Sequence, residues 1–356
     1  MAIDPPEDEA FLSYNYFDGG GISVHGPAVI LKKAMKGRMS IEAGGRMDIV
    51  SSASIDVLTQ ASKGEAFTDE RTEVYLGGSR IWGDTLFSAN YTVSDESDYT
   101  SNTLMLALTH DFFERNVSVN LRVARSTDDV SSNADPAFGE AGLKRTAYSL
   151  GLTQSLSPRW LAQLNYEVTA DDGYINSPYR NALLESTAWV PEVYPNARTG
   201  QAWVLRSTHG FLRDLQAGGG LRGSVQLSYR YYRDTFDVQS HTGKLFYQHR
   251  LSPNRSFGIF YRYYQQTAAS FYGDVLPASQ LFKARDKELS TFSSHGVGLS
   301  FKFESREKKW GWFERPYFKM GYNFLMFDYD DFSDPRTGQL YSWEANVFQI
   351  SLGSRY

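Results

Sequence analysis

The chain has 356 residues, of which 41% are hydrophobic and 22% charged, with 30 Gly and 12 Pro; this excludes a disordered tail, a collagen and a coiled coil. Lys+Arg 36 against Asp+Glu 41 gives a net charge of −5, so no global basic field exists to hold a phosphate backbone, and nucleic acid is not expected as a partner. With no cysteine, disulfides, thiolate nucleophiles and Cys-based metal sites are ruled out.

Aromatic residues make up 15% of the chain, yet mean hydropathy is −0.43 and the longest apolar run is five residues, Leu104 to Leu108. A membrane-spanning helix needs about 20 apolar residues in succession, so helical spans are excluded. A membrane β-barrel is not, because its strands alternate lipid-facing apolar with lumen-facing polar residues. The opening MAIDPPEDEAF has no charged-then-apolar export segment and reads as a mature form carrying an added Met. Residues 1–8 are expected as an acidic periplasmic segment and 9–356 as a single transmembrane barrel domain.

In chain order, period-two segments are predicted at 9–17, 21–34, 38–51, 70–82, 85–96, 99–112, 116–128, 143–156, 158–170, 201–213, 221–234, 237–251, 255–268, 290–304, 316–329 and 343–356. Phe87, Ala89, Tyr91 and Val93 alternate with Ser88, Asn90 and Thr92. Trp160, Ala162, Leu164, Tyr166 and Val168 alternate with Gln163, Asn165 and Glu167. A helix cannot place either apolar set on one side. Connections at 52–69, 129–142, 171–200, 269–289 and 330–342 are long and fall on one side; those at Lys36-Gly37, Trp82-Gly83-Asp84, Phe113-Glu114-Arg115, Ser157-Pro158 and Ser252-Pro253-Asn254 are tight and fall on the other. This sorting predicts an all-β, antiparallel up-and-down transmembrane barrel of about sixteen strands in a Gram-negative bacterial outer membrane, with lipid as its surroundings.

The terminal EANVFQISLGSRY puts Phe348, Ile350, Leu352 and Tyr356 on one face, resembling the final strand read by the bacterial barrel-insertion machinery; Ser354 departs from the apolar pattern. One aromatic girdle is expected from Trp82, Phe112, Phe113, Trp160, Trp310, Trp312 and Tyr356, and a second from Tyr99, Tyr232, Tyr263, Tyr264, Phe327 and Trp343. The stretches ISVHGPAVILKK, SSASIDVLTQAS, DERTEVYLGGSRIWGDTLFSANYTVSDESDY and DDGYINSPYR resemble the bacterial outer-membrane family of domain of unknown function 3570. That resemblance implies a barrel without an established activity. The genes of such proteins neighbour those for flavin-transferring enzymes, thioredoxin-like proteins and small lipoproteins, which implies a periplasmic or lipid-anchored redox partner in or beside the lumen.

The alternation assigns Glu42, Arg46, Asp48, Glu167, Arg230, Arg262, Lys302 and Lys319 to the lumen lining. They could select solutes or pair as structural ion pairs, and with both signs present strong ion selectivity is not expected. Loop 171–200 is unusually apolar and should pack on the lumen, the rim or another protein; Tyr174, Asn176, Pro178, Tyr179, Arg180 and Trp189 are its candidate contact residues. Asp328, Asp330, Asp331 and Asp334 form an acidic loop cluster that is a candidate Ca²⁺ site, although the spacing fits no complete calcium motif. Asp95, Glu96 and Asp98 form a second. No intrinsic cofactor is expected. Ser294-His295 and Thr208-His209 are adjacent pairs whose side chains should face opposite ways, and no nucleophile elbow or phosphate loop occurs, so the chain is read as a non-enzyme. The functional reading is a conduit or docking shell; a general porin-like diffusion channel is the alternative, and a surface hydrolase a remote one.

Overall fold

The computed structural model describes residues 3–52, 67–214, 220–305, 309–310 and 313–356. Its strands are β1 (Glu9–Gly19), β2 (Ile22–Met35), β3 (Met39–Ser52), β4 (Phe67–Trp82), β5 (Thr85–Asp95), β6 (Tyr99–Phe112), β7 (Val117–Val130), β8 (Ala141–Ser157), β9 (Trp160–Gly173), β10 (Asn181–Leu184), β11 (Ala188–Pro191), β12 (Ala197–Asp214), β13 (Gly220–Asp234), β14 (Gln239–Ser252), β15 (Arg255–Gln266), β16 (Phe292–Glu304), β17 (Lys309–Trp310), β18 (Phe313–Glu314), β19 (Tyr317–Ser333) and β20 (Leu340–Arg355). Sixteen form one closed antiparallel barrel in chain order. β10–β11 and β17–β18 are separate two-stranded hairpins inside connections, and neither was expected from periodicity.

Closure is made by β1 against β20, with Glu9 opposite Arg355 and Gly19 opposite Ala345. The barrel strands run 11 to 18 residues, longer than the roughly 9–11 needed to cross a bilayer at a tilt. Alternation sets their faces. Leu31, Ile41, Leu76, Leu106, Leu205, Leu227, Ile259, Leu299 and Leu352 all lie exposed on the outer wall. In water such a surface would cost far more than a folded domain can offset, whereas hydrocarbon leaves it solvated.

The turn at Lys36-Gly37 has positive φ at both residues, matching the right-handed twist of the flanking strands. The girdle at the short-turn end is present where side chains are described: Trp82, Phe112, Phe113, Trp160 and Tyr356 are exposed. The side chains of Trp310 and Trp312 lie outside the described residues, as does 53–66. The girdle expected at the long-loop end is corrected. Tyr99 donates to Asp128, Tyr232 to Asp234 and Tyr264 to Gln266, all on the inner face, and Phe327 stacks on Trp343 at 4.2 Å there. Only Tyr263 of that set faces out. On that end of β1–β2 and β13–β16 the outer face carries Tyr–His pairs instead, Tyr14 to His25 (2.5 Å), Tyr229 to His241 (2.6 Å) and Tyr261 to His295 (2.7 Å). Such amphipathic groups suit a boundary between lipid and water.

Ser354 lies on the outer face yet is 1% exposed, because the β17–β18 hairpin covers it and the carbonyl of Glu314 accepts its hydroxyl at 2.7 Å. The break in the apolar pattern is thus explained by local covering. Residues 3–8 cross the short-turn mouth. The Ile3 N–H donates to Asp111 on β6 at 2.7 Å, while Asp8 accepts from the Ala34 N–H at 2.6 Å and from Lys33 beside β1.

Candidate functional site

The eight residues assigned to the lumen alternate with exposed outer residues such as Ile41, Met47, Leu164, Tyr229, Tyr261, Leu299 and Met320, and so all face inward. They do not form one cluster. On β3–β5, Arg46 Nε lies 3.1 Å from Asp48, Arg71 lies 3.3 Å from Glu73 and 3.4 Å from Glu96, and the Tyr75 hydroxyl donates to Glu42 at 3.0 Å. This wall is a network of paired charges in which carboxylates outnumber arginines.

Farther round the ring, Arg145 pairs with Asp128 (3.2 Å), and Arg198 with Asp234 (2.5 Å). Glu167 projects from β9 with no ion pair among the described residues. At the short-turn end Lys302 stands directly opposite Lys319, a repulsive placement offset by Glu304 at 2.6 Å from Lys302. Next to it, Arg222, Arg250, Asn254, Lys302 and Glu304 line a polar recess of about 270 Å³.

The wall diametrically across from β3–β5 is β12–β15, and its character differs. Arg206, Arg230, Lys244 and Arg262 project inward from four successive strands and rest on rings or amides: Lys244 over Phe260 at 4.1 Å, Arg230 over Tyr232 at 5.1 Å, Arg262 over Tyr264 at 5.2 Å, and Arg206 on Gln163 at 3.3 Å. The Phe260 ring can lie flat against the wall because its neighbour on β16 is Gly298, where a Cβ would come within 2.2 Å of that ring. Sequence reasoning found Arg230 and Arg262 but missed Arg206 and Lys244. Both alternate with apolar neighbours, so the signal was present.

At the long-loop end, segment 174–196 folds onto segment 267–291. The Val193 and Lys283 backbones exchange hydrogen bonds at 3.0 and 2.8 Å, and the Leu276 N–H donates to Leu183 at 2.9 Å. Beneath them Tyr194, Phe236, Val238, Phe271, Ala284 and Leu289 form the molecule's main buried apolar cluster. A polar lock closes it. Arg180 pairs with Asp286, which is almost fully buried; Glu192 accepts from the Arg285 N–H and from the Tyr194 hydroxyl, both at 2.6 Å; Arg285 reaches Asp274 and the Ser333 carbonyl at 2.6 Å. Burial, reinforced by the neighbouring Asp286 charge, pushes the Glu192 carboxyl up to about 7. Burial likewise raises Asp286.

The six loop residues singled out by sequence belong to this cap and contact their own chain. Tyr174 meets Phe138 edge-on at 5.1 Å and Asn176 donates to the Glu192 carbonyl. Tyr179 reaches Asp98 and Asn133, Arg180 forms the lock, and Arg285 lies over Trp189. Pro178 sits in the turn before them, lining a recess with Tyr99 and Arg145.

The four aspartates of the candidate Ca²⁺ loop do not converge. Asp334 is held by Arg336, whose guanidinium keeps its carboxyl below the usual range, and Asp331 accepts from the Thr291 N–H at 2.8 Å. Asp328 alternates onto the outer face. Among the described residues the one group close enough for a shared ion is Asp69, Glu96 and Asp98, already engaged by Arg71, Ser97 and Tyr179. His295 faces out on Tyr261 while Ser294 faces in on Arg262, so that pair cannot share a proton.

Residues 140–312 match the family described as "Protein of unknown function (DUF3570)". The DUF3570 match contains β8 to β16, hence the basic wall, both cap segments and the GYINSPYR stretch. No curated protein matches the chain. Among solved structures, one titled "Bacterial polysaccharide outer membrane secretin" shares 10% identity with a TM-score of 0.55, over 98% of each chain. OprD from Pseudomonas aeruginosa gives 0.48 at 8% identity, covering 100% of this chain and 97% of its own. The CymD monoaromatic hydrocarbon channel gives 0.46 at 10%, covering 99% and 89%. The first of these likenesses concerns the fold alone, an outer-membrane-type barrel.

Proposed function

We propose that the chain is an outer-membrane channel that passes small polar solutes through its lumen, with the folded cap of segments 174–196 and 267–291 narrowing one mouth. The observation that carries this reading is the lumen wall itself: ionised side chains face inward on strands all round the ring, which a packed interior would not tolerate. Such groups are stable only against water, and a sixteen-stranded ring is wide enough to hold it. The test is conductance in planar bilayers. Discrete, ohmic steps on insertion of purified protein support the channel; an electrically silent barrel verified as inserted overturns it.

A second reading, a docking shell for a lipid-anchored protein displayed at the long-loop mouth, is favoured by the exposed Trp189, Val275, Leu281 and Phe282 on the cap. It predicts one stoichiometric partner on mild extraction from native membranes. Recovery of the barrel alone, conducting, argues against it.

A further inference from the structure

We infer that the inner wall of β12–β15 is an anion-binding patch for small solutes bearing carboxylate or phosphate groups, deepening the channel reading by naming the solute class. The register carries the argument. Arg206 lies opposite Ser228, Ser228 opposite Lys244, and Lys244 opposite Arg262, so three cations share one cross-strand row; Arg230 stands two residues from Ser228 on the same face. At about 4.8 Å between strands the row spans roughly 14 Å, the scale of one small organic anion.

Like charges directly opposite each other destabilise a sheet unless something neutralises them. Elsewhere on this wall the protein supplies the neutralising group itself: Arg46, Arg71, Arg145, Arg198 and Lys302 each have a carboxylate within 3.4 Å. To Arg206, Arg230, Lys244 and Arg262 it supplies none among the described residues; the Arg198–Asp234 pair sits at the long-loop edge of the same strands. The contacts of these four cations are ring faces, the Gln163 amide and the Ser294 hydroxyl, which hold the side chains in place without cancelling their charge. Arg206 Nε is buried with no acceptor. In a chain of net charge −5, a held and uncompensated basic row facing the lumen is suited to recruit its counter-charge from the solute. The carboxylate-rich β3–β5 wall opposite adds a field across the lumen that orients an anion toward β12–β15.

The test uses full-length protein in detergent and in bilayers. Titration calorimetry with citrate, and separately with inorganic phosphate, should show saturable binding that weakens at least tenfold in Arg230→Gln/Lys244→Gln/Arg262→Gln and is retained in Lys244→Arg, each variant first shown to be folded by heat-modifiable gel migration. In a KCl gradient the reversal potential should move from the anion-selective toward the cation-selective side in the triple variant. Binding lost in the triple variant from a barrel that never conducts supports the patch while overturning the channel. Conduction with no measurable binding and an unshifted reversal potential overturns the patch while leaving the channel standing. Equal binding by wild type and triple variant also overturns it.

Discussion

Phe260 and Gly298 show how a single residue sets the lumen's surface. The ring occupies the volume a side chain at 298 would need, and Lys244 sits over its face. Gly298→Val should therefore force the ring off the wall and cost about 1–3 kcal/mol, read as a lower urea midpoint for loss of heat-modifiable migration. Gly243→Ala is the control: nothing lies within 4 Å of its added Cβ, so it should leave the midpoint unchanged. An unchanged midpoint for the valine variant would show that the ring has another rotamer to take. Which way each residue faces was legible in the sequence for all eight lumen positions, because inward and outward follow from period two alone. Five of the six aromatic residues expected in the long-loop girdle face the lumen, because parity and not distance along the strand decides the side. Tyr232 and Tyr264 fall on even positions with Arg230 and Arg262, and so point inward.

Between elements, the cap depends on partners far apart in the chain, and no local pattern could reveal them. Arg180 and Asp286 are 106 residues apart, Glu192 and Arg285 are 93 apart. The apolar content of loop 171–200 showed that it packs on something; only the fold shows that the surface is segment 267–291. Removing Arg180 leaves Asp286 buried without its partner, a loss of about 3–5 kcal/mol for a buried charge. Arg180→Ala should thus release both segments to limited proteolysis while the barrel keeps its heat-modifiable migration; protection equal to wild type would show that the apolar cluster alone holds the cap. The cap should also respond to pH. Glu192 titrates near 7 when docked against an ordinary 4.5, so the docked form prefers the proton. Its contribution is complete below about 4.5 and is lost as pH rises through 7. Amides of 267–291, corrected for intrinsic exchange, should be better protected at pH 5 than at pH 8, and the reverse order would contradict the assignment.

Over the whole molecule, strand number, order and the side of each long connection followed from alternation and turn spacing. The distribution of charge did not. Composition shows both signs in near balance, from which weak selectivity was expected, but sign is sorted by wall: carboxylates gather on β3–β5 and unpaired cations on β12–β15. That sorting needs the register between strands and the closure of the ring, neither of which a one-dimensional pattern contains. The sequence also gave no warning of the two short hairpins, since β17–β18 has only two residues in each strand, too few to display a period.

The seam between β1 and β20 joins the first strand of the barrel to the sixteenth. The partners opposite Glu9 through Gly19 are residues 355 back to 345, so the backbone N–H and C=O groups along one side of β1 stay unpaired until β20 has been made. No shorter product is a smaller version of this object; it is an open sheet with two raw margins. A chain that stops one barrel strand early therefore cannot close, and until β20 is in place both free margins stay open to pairing with any other strand they meet.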